Sequence, residues 1–283
     1  MIAPTDFNFG EAEKRIISNV KSSPHSEPLV VLELNEKLLY GHYSGHSSIG
    51  SDETLTLQGE VGLLSHSVKI RGDDSSNSTK YGGHVMLKGN MVKARISNVE
   101  FYNVGQAYQL ERHPLTFTES EHLANSYVAN SSIWDGFNRA VALHASNCLK
   151  IEKNVAFNVM GHNFFLQDGA EINNRFIDNL AVATASSYSL LNTDQTPASF
   201  WISHPNNYFK GNRAAGAEMY GFWYDLHDHP TGSSETTDIC PQYERMGLFE
   251  GNTAHSNGRY GVRIYETYIP STYPCKTRFQ TPA

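Results

Sequence analysis

The chain has 283 residues, 39% of them hydrophobic, and a formal charge of −7 from 22 basic and 29 acidic side chains. This length allows one long all-β domain or two smaller domains, each with a substantial core. Because the balance is acidic and no basic patch is concentrated in the sequence, nucleic acid is not an expected partner. No run approaches the ~20 apolar residues of a membrane span, so none is expected in this chain.

The N-terminal segment 1–54 is expected to form a lead-in of short β segments. A short helix is predicted within 10–20, and short β-type runs with Gly and Ser turns extend from 29 to 61. The first residues lack the basic end and apolar stretch of a signal peptide, although a mature secreted fragment would look the same. A polar loop is expected at 71–83, and beyond it the sequence begins to repeat.

Each repeat contains a short strand-like run, then an Asn, then an alternation of small or apolar residues. The leading Asn residues are spaced by 32, 24, 25, 33 and 40 residues, and they are Asn98, Asn130, Asn154, Asn179, Asn212 and Asn252. A base period near 24 with loop insertions is typical of one β-helix coil, which has three short strands and three turns. A sandwich would show hairpin turns every ~8–12 residues, and a propeller a period of ~40–45. We therefore predict an all-β fold, a right-handed parallel β-helix over 55–283.

The recurring Asn has a physical explanation in such a fold. Asn tolerates a left-handed backbone at a tight corner. Its side-chain amide can also bond to the Asn of the neighbouring coil, as in stacked Asn ladders. We therefore expect the repeated Asn residues to occupy related corners of successive coils.

Several stretches resemble a group of G8 and parallel β-helix ectodomains that contains fibrocystin-L and the CEMIP-type cell-surface hyaluronidases. They are LQGEVGLLSHSVKIRG (57–72), ISNVEFYNVGQ (96–106), FWISHPNNYFKGNRAAGAEMYGFWYDL (200–226) and GLFEGNTAHSNGRYGVRIYETYIPSTYPC (247–275). The last of these, together with HPTG (229–232) and ICPQ (239–242), looks closest to the fibrocystin-L branch. The resemblance implies a secreted or cell-surface ectodomain. It implies calcium-assisted hyaluronan degradation in the hyaluronidase branch, and a receptor-like or coat protein without established chemistry in the fibrocystin-L branch.

One stretch departs from the hyaluronan-degrading branch, which carries an Arg-aromatic-Pro-Ile-His-Phe-His type of motif. The matching residues here are RHPLTFT, from Arg112 to Thr118. Thr116 and Thr118 stand where the motif has histidines, and a hydroxyl has no pKa near neutrality with which to move a proton. The departure argues against hyaluronidase activity, whereas Arg112 is retained as a candidate substrate contact.

The stretch GFWYDLHDHPTG (221–232) concentrates ionisable side chains. In an extended strand Asp225, His227 and His229 share one face, and two His with a carboxylate can ligate a divalent metal. The set spans about 13 Å along a straight strand, too far for three ligands of one ion. We expect weak or no metal binding at Asp225 and His227, with calcium as the candidate ion. The alternative is a hydrated strand end that leads into a turn.

A second cluster lies in GHNFFLQDGAE (161–171). Glycosidic cleavage needs two separated carboxylates, or a base with a cation, and the outer face of a β-helix sheet forms a groove for such groups. The candidate catalytic residues are Asp168, His162 and His227, with Glu171 as a substrate contact. We expect Asp168 within roughly 5–10 Å of His227 and its neighbours, one or two coils away. The alternative is that the Asp-Gly pair only forms a turn.

Three further side chains are candidate substrate contacts. His144 is expected to stack on His162 of the adjacent coil, although a satisfied histidine ladder explains it equally well. Trp201 and Trp223 suit a carbohydrate platform, because sugar C–H faces pack on aromatic rings. Since alternation places them opposite Phe200 and its neighbours, some of these aromatics must fill the core.

Cysteines and sequons bear on the compartment. Cys240 and Cys275 lie in turn-rich segments that bracket one repeat, and they can form a disulfide if the compartment is oxidising. Free thiols are the alternative. Asn77 and Asn130 begin N-x-Ser/Thr triplets, which would accept glycans in a secreted or cell-surface protein.

Two functions stay open from the sequence. One is a β-helix that binds or cleaves a polysaccharide of glycosaminoglycan type along its groove, which the clustered His and Asp residues favour. The other is a non-catalytic cell-surface coat, adhesion or filament-forming module with self-association, which Thr116, Thr118 and the acidic charge favour.

Overall fold

The fold was examined in a computed structural model that describes residues 1–22, 30–50, 53–89, 93–189 and 191–275. These residues contain one short helix, α1 (Ser76–Thr79), and 3₁₀ turns at Phe9–Glu11, Asn192–Gln195, Gly232–Ser234 and Pro241–Tyr243. The strands are β1 (Ile17–Ser22), β2 (Val30–Leu34), β3 (Ser44–Ile49), β4 (Glu53–Gln58), β5 (Val68–Arg71), β6 (Val85–Lys88), β7 (Arg95–Ser97), β8 (Val99–Tyr102), β9 (Leu115–Thr118), β10 (Tyr127–Ala129), β11 (Ser132–Gly136), β12 (Val141–His144), β13 (Lys150–Glu152), β14 (Val155–Met160), β15 (Phe164–Leu166), β16 (Arg175–Ile177), β17 (Leu180–Ala185), β18 (Ala198–Ile202), β19 (Tyr208–Lys210), β20 (Arg213–Ala217), β21 (Tyr220–Asp225), β22 (Leu248–Glu250), β23 (Thr253–His255) and β24 (Tyr260–Tyr265).

From β5 onward the chain passes repeatedly through three parallel sheets. Sheet A contains β7, β10, β13, β16, β19 and β22; sheet B contains β5, β8, β11, β14, β17, β20 and β23; sheet C contains β6, β9, β12, β15, β18, β21 and β24. Neighbouring strands in each sheet are three strands apart in the chain and pair in parallel. The predicted parallel β-helix is confirmed, with seven coils among the residues that the structure describes.

Aromatic rings stacked along the helix axis fill the interior. Phe164, Phe200 and Phe222 stack in successive strands of sheet C, with ring centroids 4.9 and 4.6 Å apart. Phe176 and Phe209 form a second stack in sheet A at 4.7 Å. All five rings are at most 2% exposed. Because parallel register places like residues one above another, each coil packs its rings on those of the next.

A buried Asn ladder joins four coils between sheets A and B. The side-chain oxygens of Asn179, Asn212 and Asn252 each accept the backbone N–H and the side-chain N–H of the preceding ladder member, at 2.9–3.1 Å. Each of these three side chains, and that of Asn154, also donates to a backbone carbonyl. The predicted ladder is thus confirmed for these four residues.

The prediction for Asn98 is wrong by one residue. Asn98 and Asn130 are exposed and lie one position before the ladder, where φ is 57° and 45°. The ladder position itself is Val99 in one coil and Ser131 in the next, joined by a bond from the Val99 N–H to the Ser131 hydroxyl at 3.2 Å. In these coils one residue has the left-handed backbone and the next residue makes the ladder bond.

The N-terminal segment covers the outer face of sheet B. Ala3 and Leu64 pack on Phe157, Val182 and Ala215 of that face. Two antiparallel hairpins, β1–β2 and β3–β4, extend from this segment. The helix predicted within 10–20 is wrong, because that stretch forms the end of a 3₁₀ turn and most of the exposed strand β1.

Two further predictions concern the whole chain. None of the helices within the described residues is long and apolar enough to cross a membrane. The predicted division at residues 54 and 55 falls inside the hairpin β3–β4, and the division into two domains stays a prediction. Residues 276–283 of the predicted β-helix segment lie outside the described residues.

Candidate functional site

The outer face of sheet C carries a row of residues with a different character from the core. Alternation turns Phe164, Phe200 and Phe222 inward and the next residue of each strand outward. The outward row runs through paired positions in six successive strands: Thr116, Ala142, Phe165, Trp201, Trp223 and Arg263. The Arg263 guanidinium lies 4.7 Å from the centre of the Trp223 ring. An aromatic strip thus lies outside the core, beneath the loops of this face.

A cavity of about 270 Å³ opens over this strip. Phe165 and Trp201 supply its aromatic lining. Three carboxylate side chains line it, those of Glu111, Asp168 and Asp225. Arg139, His113, Gln167, Thr193 and Thr231 contribute further polar atoms, and Leu110, Leu191 and Gly232 complete the wall. Asp168 and Asp225 both line this cavity, whereas His227 does not, and the predicted separation of 5–10 Å stays a prediction.

Asp168 is held in place by side chains from two directions. Its Oδ2 lies 2.7 Å from Nε2 of His144 at the end of β12. The same oxygen accepts the hydroxyl of Ser234 at 2.7 Å. The hydrogen bond to Asp168 raises the pKa of His144 above its usual range, although burial acts in the opposite direction. The contact therefore favours the charged form of the imidazole beside the carboxylate.

The expected stacking of His144 on His162 is wrong. His144 pairs in register with Thr118, and its Nδ1 lies 2.9 Å from the Thr118 hydroxyl. Ser233 contacts the other ring nitrogen at 2.7 Å. The long connection between β21 and β22 brings Ser233 over the sheet, so His144 is enclosed by a neighbouring strand and a loop.

His162 lies beneath the aromatic lining and is fully buried. Its ring lies 4.2 Å from the Trp201 ring and 5.4 Å from the Phe165 ring, centre to centre. Nδ1 accepts the Ala198 N–H at 3.0 Å, so the neutral form carries its proton on Nε2. Burial lowers the pKa of His162 to about 4. This placement suits support of the aromatic lining better than proton transfer to a ligand.

A buried ion pair fixes the loop at one border of the cavity. Arg139, which precedes β12, donates to both oxygens of Asp194 at 3.0 and 2.6 Å. Its guanidinium also lies 3.8 Å from the Phe165 ring centre. Burial would raise the pKa of Asp194, but His162 and Arg139 together hold that pKa below its usual range. The pair therefore anchors the loop that contributes Leu191 and Thr193 to the wall.

Asp225 and His227 form an ion pair at the outer end of β21. The Asp225 Oδ2 lies 3.1 Å from Nε2 of His227, whose side chain is 53% exposed. The hydrogen bond to Asp225 raises the pKa of His227, against the effect of burial. His229 instead bonds the Ile239 carbonyl within the following loop at 3.0 Å. The geometry thus pairs a cavity carboxylate with a solvent-accessible imidazole.

The Asp225–His227 pair does not fit a calcium ion. Calcium takes six to eight oxygen ligands, whereas this pair supplies one carboxylate and one imidazole. Within the described part of the chain there is no group of three or more His, Cys, Asp or Glu side chains placed to hold a metal. No chemical step is therefore derived through a metal.

The remaining predicted substrate contacts lie around the cavity in different settings. Trp223 is 8% exposed and stacks beside Trp201 at 5.8 Å, outside the cavity wall. Arg112 is exposed and contacts Nε2 of His84 at 3.0 Å. Glu171 is fully buried. Arg139 and Asp194 were not identified from the sequence as part of the site. For Arg139, the position of a charged residue just before the apolar run AVAL (140–143) could have indicated a functional role.

The disulfide prediction is confirmed. Cys240 and Cys275 are bonded, with their Cα atoms 5.4 Å apart. The bond ties the loop that carries Ser233 and Ser234 to the C-terminal segment. Asn77 and Asn130 are exposed, and glycosylation at both stays a prediction.

Comparison with known proteins gives the family. The CEMIP beta-helix family model matches residues 80–262, well over half of the chain. The chain is 32% identical to fibrocystin-L of Mus musculus, covering 100% of this chain and 8% of that protein. It is 33% identical to fibrocystin-L of Homo sapiens, covering 97% and 7%. It is 29% identical to the cell surface hyaluronidase CEMIP2 of Homo sapiens, covering 93% and 22%.

The chain thus spans less than a quarter of the length of each of these curated relatives. The resemblance recognised in the sequence motifs is confirmed by both comparisons. A seven-coil parallel β-helix that matches this family model over most of its coils places the chain in the CEMIP β-helix family.

Proposed function

We propose that the cavity on sheet C binds a segment of polysaccharide and that Asp168 and Asp225 act on its glycosidic bond. The observation that supports this most strongly is the convergence of two carboxylates from different coils on one cavity lined by Phe165 and Trp201. Aromatic rings pack against sugar rings, and paired carboxylates are the usual groups for glycoside hydrolysis. A relative named as a cell surface hyaluronidase supports a glycosaminoglycan-like substrate.

The two carboxylates receive different roles from their partners. Asp168, held in place by His144 and Ser234, acts as the base that takes a proton from water. His227, whose pKa is raised by its hydrogen bond to Asp225, supplies a proton that passes through the Asp225 carboxyl to the bridging oxygen, and the exposed imidazole is reprotonated from solvent. The bond from the anomeric carbon to the bridging oxygen breaks, and water forms the new bond to that carbon.

The other predicted residues act around this pair. Trp201 packs against the sugar ring, while Trp223 and the buried His162 support Trp201 from the sides. Arg112, on the exposed surface next to Glu111, extends the contact along the polysaccharide. His144 acts through Asp168 and does not itself line the cavity.

A second candidate function is binding without cleavage, as part of a surface coat or adhesion module. Thr118, which replaces a histidine of the hyaluronan-degrading motif, bonds to His144 and offers no titratable group. Similarity to fibrocystin-L over 97–100% of the chain also favours this alternative. In that case the cavity holds a glycan, and self-association builds the coat.

We place the protein at the cell surface or outside the cell. The Cys240–Cys275 disulfide is typical of oxidising compartments. The name of the human cell surface hyaluronidase relative supports the same location.

The test is incubation with hyaluronan, chondroitin, chitin and cellulose oligosaccharides, with and without calcium, followed by product sizing and binding calorimetry. We expect one class to bind, with cleavage lost in Asp168→Asn and Asp225→Asn while binding stays within a few-fold. The matched control is Asp178→Asn, an exposed aspartate on the sheet A side at φ 53°, which Asn tolerates. Binding without products in the wild type supports the second candidate, and no binding of any class contradicts both.

A further inference from the structure

We propose that Glu171 is a positioning residue: its carboxylate fixes the turn that points Asp168 into the cavity, and it does not touch the ligand. The catalytic consequence rests on the proposed function. The structural part, which concerns His144 and Asp168, can be tested without any ligand.

The Glu171 carboxylate accepts hydrogen bonds from four donor groups. One carboxylate oxygen, Oε1, accepts the N–H of Ala145 at 2.9 Å and that of Asp168 at 3.2 Å. The other, Oε2, accepts the N–H of Gly169 at 3.0 Å and the hydroxyl of Ser203 at 3.4 Å. The side chain is fully buried and does not line the cavity, so it has no path to a bound glycan.

These bonds connect the C-terminal ends of three neighbouring strands in sheet C. Ala145 directly follows His144 at the end of β12, Asp168 and Gly169 follow β15, and Ser203 follows β18. One carboxylate therefore holds the residue after His144 and the amide of Asp168 itself. The 2.7 Å contact between His144 and Asp168 is set by this shared anchor.

The backbone around Glu171 supports the same role. Ala145 has φ 45° and Gly169 has φ 90°, both in the left-handed region. Such conformations turn backbone N–H groups toward a common point and form a concave site for an anion. Alanine adopts this region at a cost, which the hydrogen bonds from these N–H groups to Glu171 offset.

Charge completes the arrangement. All four partners of Glu171 donate, so the site selects an ionised carboxylate. Burial raises the pKa of Glu171, as does the nearby charge of Asp168, whereas the bonds from the Ala145 and Asp168 N–H groups lower it. The groups that face His144 are the carboxylates of Asp168, Glu171 and Glu111 and the neutral hydroxyls of Thr118 and Ser233. Glu171 thus contributes to the raised pKa of His144, and His144 contacts Asp168.

The test compares Glu171→Gln with Ser203→Ala. Gln presents an NH₂ group to backbone donors and loses the negative charge, whereas Ser203→Ala keeps the charge and removes the longest bond to Glu171 together with the bond of the same hydroxyl to the Leu166 carbonyl. We expect an NMR titration of His144 in the free protein to show a lower pKa in Glu171→Gln and a nearly unchanged one in Ser203→Ala. With a cleaved oligosaccharide from the panel, Glu171→Gln should lower kcat at least tenfold and leave KM within about twofold.

Two results would overturn this role. An unchanged pKa of His144 in Glu171→Gln would show that the Glu171 carboxylate does not act on His144. A raised KM with unchanged kcat shows that Glu171 contacts the ligand directly. If Glu171→Gln does not fold, Glu171→Asp carries the kinetic test, because it keeps the charge and withdraws the carboxylate by one methylene: a loss of kcat with unchanged KM is expected, and no loss contradicts the role. If no oligosaccharide binds the wild type, the proposed function fails and the His144 titration still decides the role of Glu171.

Discussion

The Asn ladder offers the clearest prediction about stability, and Asn179→Ala is the change that tests it. Asn179 sits in the middle of the ladder and is 1% exposed. Its oxygen accepts two N–H groups of Asn154, and its side-chain nitrogen donates to the Ile151 carbonyl and to Asn212. Alanine removes all four bonds and leaves the Asn154 donors and the Ile151 carbonyl without these partners.

The expected cost follows from those four bonds. A buried hydrogen bond contributes about 1 kcal/mol net, and a buried donor left unsatisfied costs more. The sum is about 4 kcal/mol, a large part of the ~5–15 kcal/mol that separates folded and unfolded states of typical domains. Alanine supplies neither the donor nor the acceptor that the ladder position needs.

The assay is urea denaturation of protein made without glycosylation, followed by tryptophan fluorescence. The control is Asn130→Gly: Asn130 is exposed, its φ is 45°, and Gly accepts that backbone at no cost. We expect a clearly lower midpoint for Asn179→Ala and an unchanged one for Asn130→Gly. A free energy of unfolding for Asn179→Ala within 1 kcal/mol of wild type would refute the reasoning.

Three other predictions concern buried charge, pH and the disulfide. The pKa of His162 is lowered from 6.5 to about 4, so the folded state is fully stable with respect to this group above pH ~6.5. About 3 kcal/mol of the free energy of unfolding is lost as pH falls through 4. His162→Gln should therefore flatten the pH dependence of the urea midpoint. Arg139→Met leaves Asp194 buried without its cation and should cost about 3–5 kcal/mol; adding Asp194→Asn should recover at least half, and equal stability of the single and double variants would contradict a paired charge. Replacing Cys240 and Cys275 by Ser opens a loop closed across 35 residues and should cost up to about 4 kcal/mol, whereas unchanged thermal stability would show that the bond constrains nothing.

The fold could be predicted from the sequence because its determinants are local and repeated. A period near 24 and the recurring Asn specify coils without any knowledge of contacts. The one-residue error at Asn98 has a physical cause: Asn is also favoured at the left-handed position just before the ladder. The left-handed position and the ladder position next to it therefore both favour Asn, and the spacing of Asn residues alone does not tell which of the two positions an Asn occupies.

The site was only partly predictable. Asp168 and Asp225 were expected at similar positions on the helix, because coil geometry follows from the ladder. Arg139 and Asp194 were missed because their contact joins a strand end to a loop 55 residues later, which no periodicity encodes. His162 looked like a candidate acid or base, but its burial depends on how neighbouring coils pack.

A crystal structure of the protein with hyaluronan or chitin oligosaccharides, whichever the panel shows to bind, tests the central proposal most directly. The account predicts a sugar ring packed over Trp201 and Phe165, with a glycosidic oxygen between the carboxylates of Asp168 and Asp225. A ligand bound on sheet A or on the exposed N-terminal hairpins, with the cavity on sheet C empty, would contradict it.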